Sequence, residues 1–180
     1  MSILGGKEIE RAIARGDIEV DPYEPAHLNP VSLDLRLGKR FAVYLGAHID
    51  EVELDCKTSS FCHEYDIPAD GLRLHPGTLY LMHTVERVKT TRYVPVLDGK
   101  SSIGRLGVFV HVTAGFGDPG FDGQYTLEVL VTYPTRVYAG MRFCQIRFHT
   151  IEGEAKLYEG NYTGEASMGP VPSKIWKQFR

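Results

Sequence analysis

Residues 97–128 read LDGKSSIGRLGVFVHVTAGFGDPGFDGQYTLE, and this stretch sets polar and charged residues at the ends of apolar, β-branched runs. An all-β scaffold builds a small-molecule site in this way, from strand ends and turns. Outward from it the same alternation recurs. Leu33, Leu35 and Leu37 alternate with Ser32, Asp34 and Arg36, and Phe41, Val43 and Leu45 resume the period of two after Gly38. Further strands are predicted over 78–82, 108–113, 125–131 and 143–150. Residues 6–15, GKEIERAIAR, place Ile9, Ala12 and Ile13 on one helical face, with Gly16 as the stop. One short N-terminal helix followed by regularly spaced strands between Gly and Pro turns predicts a mainly β sandwich or partly closed barrel.

A chain of 180 residues, 43% of them hydrophobic, suits one domain over 1–180 with a single core. Twenty Lys and Arg against 23 Asp and Glu give a net charge of −3. That balance argues against a nucleic-acid polymer as partner, because neutralising a phosphate backbone needs a broad basic face. A nucleotide-sized anion needs only a few local cations and backbone N–H groups. The start, MSILGGKEIERAIARGD, has no basic leader before an apolar stretch, and no run is long enough to span a bilayer. A cytoplasmic protein without a membrane partner is expected. Cys56, Cys62 and Cys144 are odd in number and match no zinc or redox spacing, so they read as reduced, buried, small apolar side chains. Residues 48–70 read as an irregular excursion. Gly160, Gly164, Gly169, Pro170 and Pro172 predict a mobile tail over 160–180, which either closes over a ligand or lies idle on the surface.

Two familiar motifs fail. Gly99-Lys100-Ser101 resembles the end of a P-loop, but that loop needs a glycine at position 94, which is Val94. The seven histidines form no HxH or HExxH pair, and no HxE precedes a PCxxC, so zinc-deaminase and zinc-protease patterns are missing. What remains is a polar set. Lys100, Ser101, Ser102 and Arg105, around Gly99 and Gly104, are either donors for phosphate oxygens or a capped turn with solvated cations. Asp118 before Pro119-Gly120 either accepts from a sugar hydroxyl or initiates the turn. Glu128 lies in the apolar run YTLEVLV. It is either a half-buried carboxylate with a raised pKa, able to shuttle a proton at neutral pH, or an exposed residue on the wet face of a strand.

The run Gly99–Gly107, with His111-Val112-Thr113-Ala114-Gly115, Asp118-Pro119-Gly120-Phe121, Gly123 and Thr126-Leu127-Glu128, resembles the signature of the dCTP deaminase family. The resemblance extends to residues 29–38 (NPVSLDLRLG), to His75-Pro76-Gly77, and to Gly140-Met141 with Gln145, so it covers nearly the whole chain. It implies the trimeric dUTPase fold, a distorted β-barrel or jelly-roll, assembled as a homotrimer whose active sites are shared between subunits. It implies Glu128 as the carboxylate that takes a proton from water as that water attacks the cytosine 4-position. Ser101 and the Ala114 carbonyl would hold water and base, and Arg105 would stabilise developing charge. Lys100, Ser101, Ser102, Ile103, Gly104 and Arg105 would contact phosphates, Asp118 the deoxyribose, and Thr126 and Leu127 the base. Gln145 and Tyr158 would complete the pocket. Magnesium would arrive on the triphosphate, with no protein metal ligand and no zinc.

The sequence Thr113-Ala114-Gly115-Phe116 is similar to the bifunctional members, which form dUMP, pyrophosphate and ammonia. Members that release dUTP commonly carry histidine at the position of Gly115. A small residue there is expected to leave room for a second water near the α-phosphate. The alternatives are a monofunctional deaminase giving dUTP, a dUTP pyrophosphatase, and a silent nucleotide-binding regulator. Departures from the family pattern include Asn29 for Gln and Asp98 for Glu. In the tail, Asn161 and Glu165 stand where the family has a lysine and a glutamine against the triphosphate, leaving Lys174 as the substitute cation.

Overall fold

The computed structural model describes residues 2–45 and 53–180. Helix α1, Gly6–Ala14, buries Ile9 and Ala12 completely, and Gly16 ends the turn with φ +75°. A side chain rarely adopts that left-handed conformation, which is why the stop falls on glycine. Eleven strands follow: β1 Ile18–Asp21, β2 Leu33–Arg36, β3 Arg40–Tyr44, β4 Cys62–Asp66, β5 Leu72–Leu74, β6 Tyr80–Thr90, β7 Tyr93–Gly99, β8 Val108–Phe109, β9 Asp122–Val131, β10 Thr135–Val137 and β11 Arg142–Thr150. They form a six-stranded sheet in the order β4-β3-β6-β9-β8, with β1 also paired to β6. A three-stranded sheet β2-β11-β7 and a pair β10-β5 complete the fold, and all the pairings are antiparallel. The mainly β class with one N-terminal helix is as expected.

The core sits between the sheets. Leu33, Leu35, Leu97, Ile146 and Phe148 face it from the three-stranded sheet, and Met82, Leu127 and Val129 from the six-stranded one. Several expected boundaries shift. The strand expected at 78–82 runs on to Thr90, through a register shift between His83 and Arg87. The one expected at 108–113 pairs only at Val108 and Phe109, because the chain then turns back so that the Leu97 N–H donates to the Gly115 carbonyl (2.6 Å). Strand β4 falls inside the stretch read as irregular, of which residues 48–52 lie outside the described residues. Cys144 is buried as expected, whereas Cys62 is half-buried and Cys56 is exposed in a turn. Among the described residues no helix is long and apolar enough to cross a membrane.

Two ionisable groups inside this core, Glu86 and His83, are paired. Glu86, 1% exposed, accepts from both the Arg36 backbone N–H (2.8 Å) and Arg36 Nε (2.7 Å). His83, 4% exposed, bonds through Nδ1 to the Thr84 carbonyl (2.9 Å) and accepts at Nε2 from the Arg40 N–H (3.4 Å), an arrangement that needs the neutral ring. Gly38 makes room for that ring, since a Cβ there would stand 2.1 Å from His83 Cε1. Gly38→Ala should therefore cost about 1–3 kcal/mol by overpacking, measured by urea denaturation.

Burial, the largest cause, holds the His83 pKa below the ordinary histidine value. Between pH of about 6.5 and that lower value the unfolded chain binds a proton the folded chain refuses, so stability is complete above the window and falls as pH drops through it. The midpoint of thermal unfolding should decline between pH 7.5 and 5, and decline less in His83→Gln. Equal declines would remove His83 as the cause.

Candidate active site

Alternation on β9 builds the floor of a cavity of about 430 Å³. Successive side chains of a strand point to opposite faces. Leu127, Val129 and Val131 are buried toward the core, and Gln124, Thr126 and Glu128 line the cavity at every second position. Leu81, the cross-strand partner of Glu128, and Leu79 extend that floor, and Tyr44 closes its far side. One wall is the returning loop with Ala114, Phe116 and Asp118. Phe121 adds an aromatic corner, 4.8 Å from Tyr125 and 6.5 Å from Tyr158 between ring centroids.

The C-terminal segment forms the roof, with Tyr162, Ser167 and Val171 to Ser173 over the opening. It is held by side chains of the site itself. Thr126 Oγ1 accepts the Val171 N–H (3.1 Å), Tyr44 Oη the Ser173 N–H (3.2 Å), and Tyr162 Oη the Lys174 N–H (2.6 Å). Ser167, 2% exposed, shares its one hydroxyl proton between the carbonyls of Gly164 (2.8 Å) and Asp122 (3.1 Å). Of the two readings of the tail, the one that closes over a site matches this placement.

Glu128 is half-buried in the cavity, and desolvation pushes its pKa above the ordinary carboxylate value. The Val112 backbone N–H and His111 oppose that rise less strongly. Desolvation of this kind favours the protonated form, so the group takes up a proton more readily than an exposed carboxylate. Asp118 is exposed at the mouth, and its carbonyl also accepts the Phe121 N–H (3.2 Å), so it initiates the turn while its carboxylate stays at the cavity. Tyr158 is fixed by its N–H to the Pro119 carbonyl (2.7 Å).

The other predicted residues lie elsewhere. Leu127 is fully buried on the opposite face of β9, so any contact it makes with a ligand is confined to its backbone. Ser101 to Gly104 form the four-residue helix α2, capped by Arg105; Ser101, Ser102, Gly104 and Arg105 are exposed and Ile103 is buried. None of them lines the cavity, and among the described residues no hydrogen bond joins this loop to Glu128. Lys100 and Gln145 sit with that loop: Gln145 donates to the Gly99 carbonyl (2.9 Å) and accepts from Ser32 Oγ (2.8 Å).

Lys174 Nζ donates to the carbonyls of Asn161 (2.8 Å) and Ala166 (3.2 Å), beside the two tail positions that depart from the family pattern. Its pKa is lowered, mainly by desolvation. The space expected beside Gly115 is filled. A Cβ at 115 would stand 2.5 Å from the Leu97 carbonyl oxygen and 2.8 Å from His111 Nε2, so the glycine answers a close approach rather than leaving a void. Sequence reasoning missed Tyr44, Gln124, Tyr162 and Ser173. Gln124 was findable, two and four residues before Thr126 and Glu128 on one strand face, whereas nothing local marks Tyr44.

The chain matches the family model described as dCTP deaminase-like over residues 3–151. It is 48% identical over 178 residues to a protein of Leptospira biflexa named dCTP deaminase, dUMP-forming, with 98% of each chain covered. Proteins of the same name from Cytophaga hutchinsonii and Hathewaya histolytica are 47% and 43% identical over 178 residues, covering 98% of this chain and 98% and 99% of theirs. Among solved structures, the 2'-deoxycytidine 5'-triphosphate deaminase of Agrobacterium tumefaciens superposes with a TM-score of 0.64 at 26% identity. That match covers 82% of this chain and 48% of the other, so this chain spans about half the length of that one. The dUTPase-like β fold is thus established together with the family. Sheets, cavity and sequence agree, and the chain belongs to the dCTP deaminase-like family.

Proposed function

We propose that this protein deaminates dCTP hydrolytically at the cytosine 4-position and cleaves the triphosphate, forming dUMP, pyrophosphate and ammonia. The observation that carries the reading is Glu128, a carboxylate with a raised pKa on the floor of a largely apolar cavity sized for a nucleoside. As base, Glu128 takes a proton from a water while the water oxygen bonds to C4. It then returns that proton to the amino nitrogen as the C4–N bond breaks and ammonia leaves. A second water adds across the bond between the α- and β-phosphates, so two waters are consumed per dCTP. Cleavage to dUMP rests on the names of the relatives. With the notch at Gly115 filled, the second water must enter elsewhere or after His111 moves.

The Ser101–Arg105 loop stands outside its own protomer's cavity, and Leu106, which follows it, and Phe109 on the neighbouring β8 are exposed. An apolar surface of this kind favours a subunit contact. In the proposed homotrimer the partner subunit's Ser101 and the partner subunit's Arg105 complete the site, holding the water and the developing charge. Asp118 takes the deoxyribose hydroxyl, and Lys174 approaches the phosphates from the tail. Among the described residues no three His, Cys, Asp or Glu side chains converge. Magnesium is carried in on the triphosphate as part of the substrate.

Incubation with dCTP and magnesium should release ammonia and dUMP in equal amounts, read by chromatography. dUTP as the sole product would refute the cleavage step, and no ammonia the whole reading. Glu128→Gln should lower kcat by about 10²–10⁴ while leaving the circular dichroism spectrum intact. Because the base form is required, kcat/KM should fall as pH drops through a value above the ordinary carboxylate range, and that limb should vanish in Glu128→Gln. Ser101→Ala and Glu128→Gln, each inactive alone, should regain activity when co-assembled, since a mixed trimer contains sites with both residues intact. Failure of co-assembled trimers to regain activity would place both groups in one chain.

A further inference from the structure

Asp34 is the most completely enclosed charge on this face of the molecule, with none of its side chain exposed. Burying a carboxylate is costly unless its oxygens are bonded and its charge is matched. Both conditions hold. Oδ1 accepts from Asn29 Nδ2 (2.8 Å), while Oδ2 lies 2.5 Å from Lys100 Nζ and 3.5 Å from Arg142 Nη1. The sheet register explains the convergence. Asp34 on β2 is opposite Gln145 on β11, and Gln145 is opposite Asp98 on β7, so the three side chains share a row on one sheet face. Lys100, two residues beyond Asp98, is directed back along that row. It is also the residue that opens α2, where Ile103 N–H and Gly104 N–H donate to its carbonyl (3.0 and 2.8 Å).

We infer that Asp34 is a positioning residue: by holding the Lys100 ammonium across two strands it fixes the β7–α2 junction, and so the placement of Ser101 and Arg105. The lysine expected to grip phosphate is thereby engaged inside its own subunit. The exposed side chains that follow it are left to face the ligand. The inference builds on the proposed reaction only through the roles of Ser101 and Arg105; the placement of the loop is a property of the protein itself.

Asp34→Asn, Lys100→Met and the double variant are compared by amide hydrogen exchange and by dCTP kinetics. In each, exchange at residues 103–107 should quicken by about tenfold or more while the amides of β6 and β9 keep their wild-type rates. On dCTP, kcat should fall at least tenfold in Asp34→Asn with KM changed less than threefold, and Asp34→Asn should add less than twofold to Lys100→Met. Unchanged exchange at 103–107, quickened exchange throughout, or additive losses in the double variant would overturn the inference. If Asp34→Asn does not fold, Asn29→Ala removes one bond to the same carboxylate and should quicken the same amides; wild-type rates there would overturn it equally. Exchange is read without substrate, so a protein inactive on dCTP would sink the proposed function and leave this test standing.

Discussion

Strand β9 must satisfy two demands at once, and that constraint shapes the rest of the molecule. Its Leu127 and Val129 fill the core, and its Gln124, Thr126 and Glu128 floor the cavity. A strand slipped by one residue would exchange these faces, putting a carboxylate into the core and a leucine into the site. The register against β6, with Leu81 opposite Glu128, is what prevents it. Apolar packing on one side of the sheet thereby fixes the position of a reactive group on the other. Burial in the cavity supplies the desolvation that raises the Glu128 pKa.

The tail has a different energetic character. It is attached to the rest of the chain through single hydrogen bonds: Val171 N–H to Thr126 Oγ1, Ser173 N–H to the Tyr44 hydroxyl, Asp122 N–H to Thr163 Oγ1 and Ser167 Oγ to the Asp122 carbonyl. Bonds of this kind are each worth about 0.5–1.5 kcal/mol net, so a segment held by a few can exchange them for bonds to a ligand. On the proposed reading, Thr126 serves the roof before substrate arrives and the base afterwards.

Much of this was legible in the sequence, for physical reasons specific to each element. The helix at α1 was readable because Ile9 and Ala12 keep helical spacing and Gly16 supplies a left-handed stop. Glu128 stood out as a charge in an apolar strand, and that same contrast produces its desolvation. Less was legible where partners are distant in sequence. Ser32, Asp34 and Arg36 read as the polar half of a half-exposed strand, yet Ser32 and Asp34 are buried, because Arg142 and Gln145 from β11 and Lys100 from the β7–α2 junction meet them. Strand β4, with most of its side chains exposed at the sheet edge, carries no alternation to read. The Gly115 notch looked like space in the sequence because the ring of His111 that fills it lies in a loop whose fold no local pattern dictates.

The central claim is that a half-dry glutamate, completed by a loop from another subunit, activates water against cytosine. A crystal structure of Glu128→Gln with dCTP and magnesium tests it most directly. The account predicts the cytosine ring in the cavity beneath the tail, with a water within about 3–3.5 Å of C4 held between Gln at position 128 and the partner subunit's Ser101. Cytosine bound outside that cavity, or a 128 side chain turned to bulk solvent with no loop from a second subunit beside it, would contradict the account.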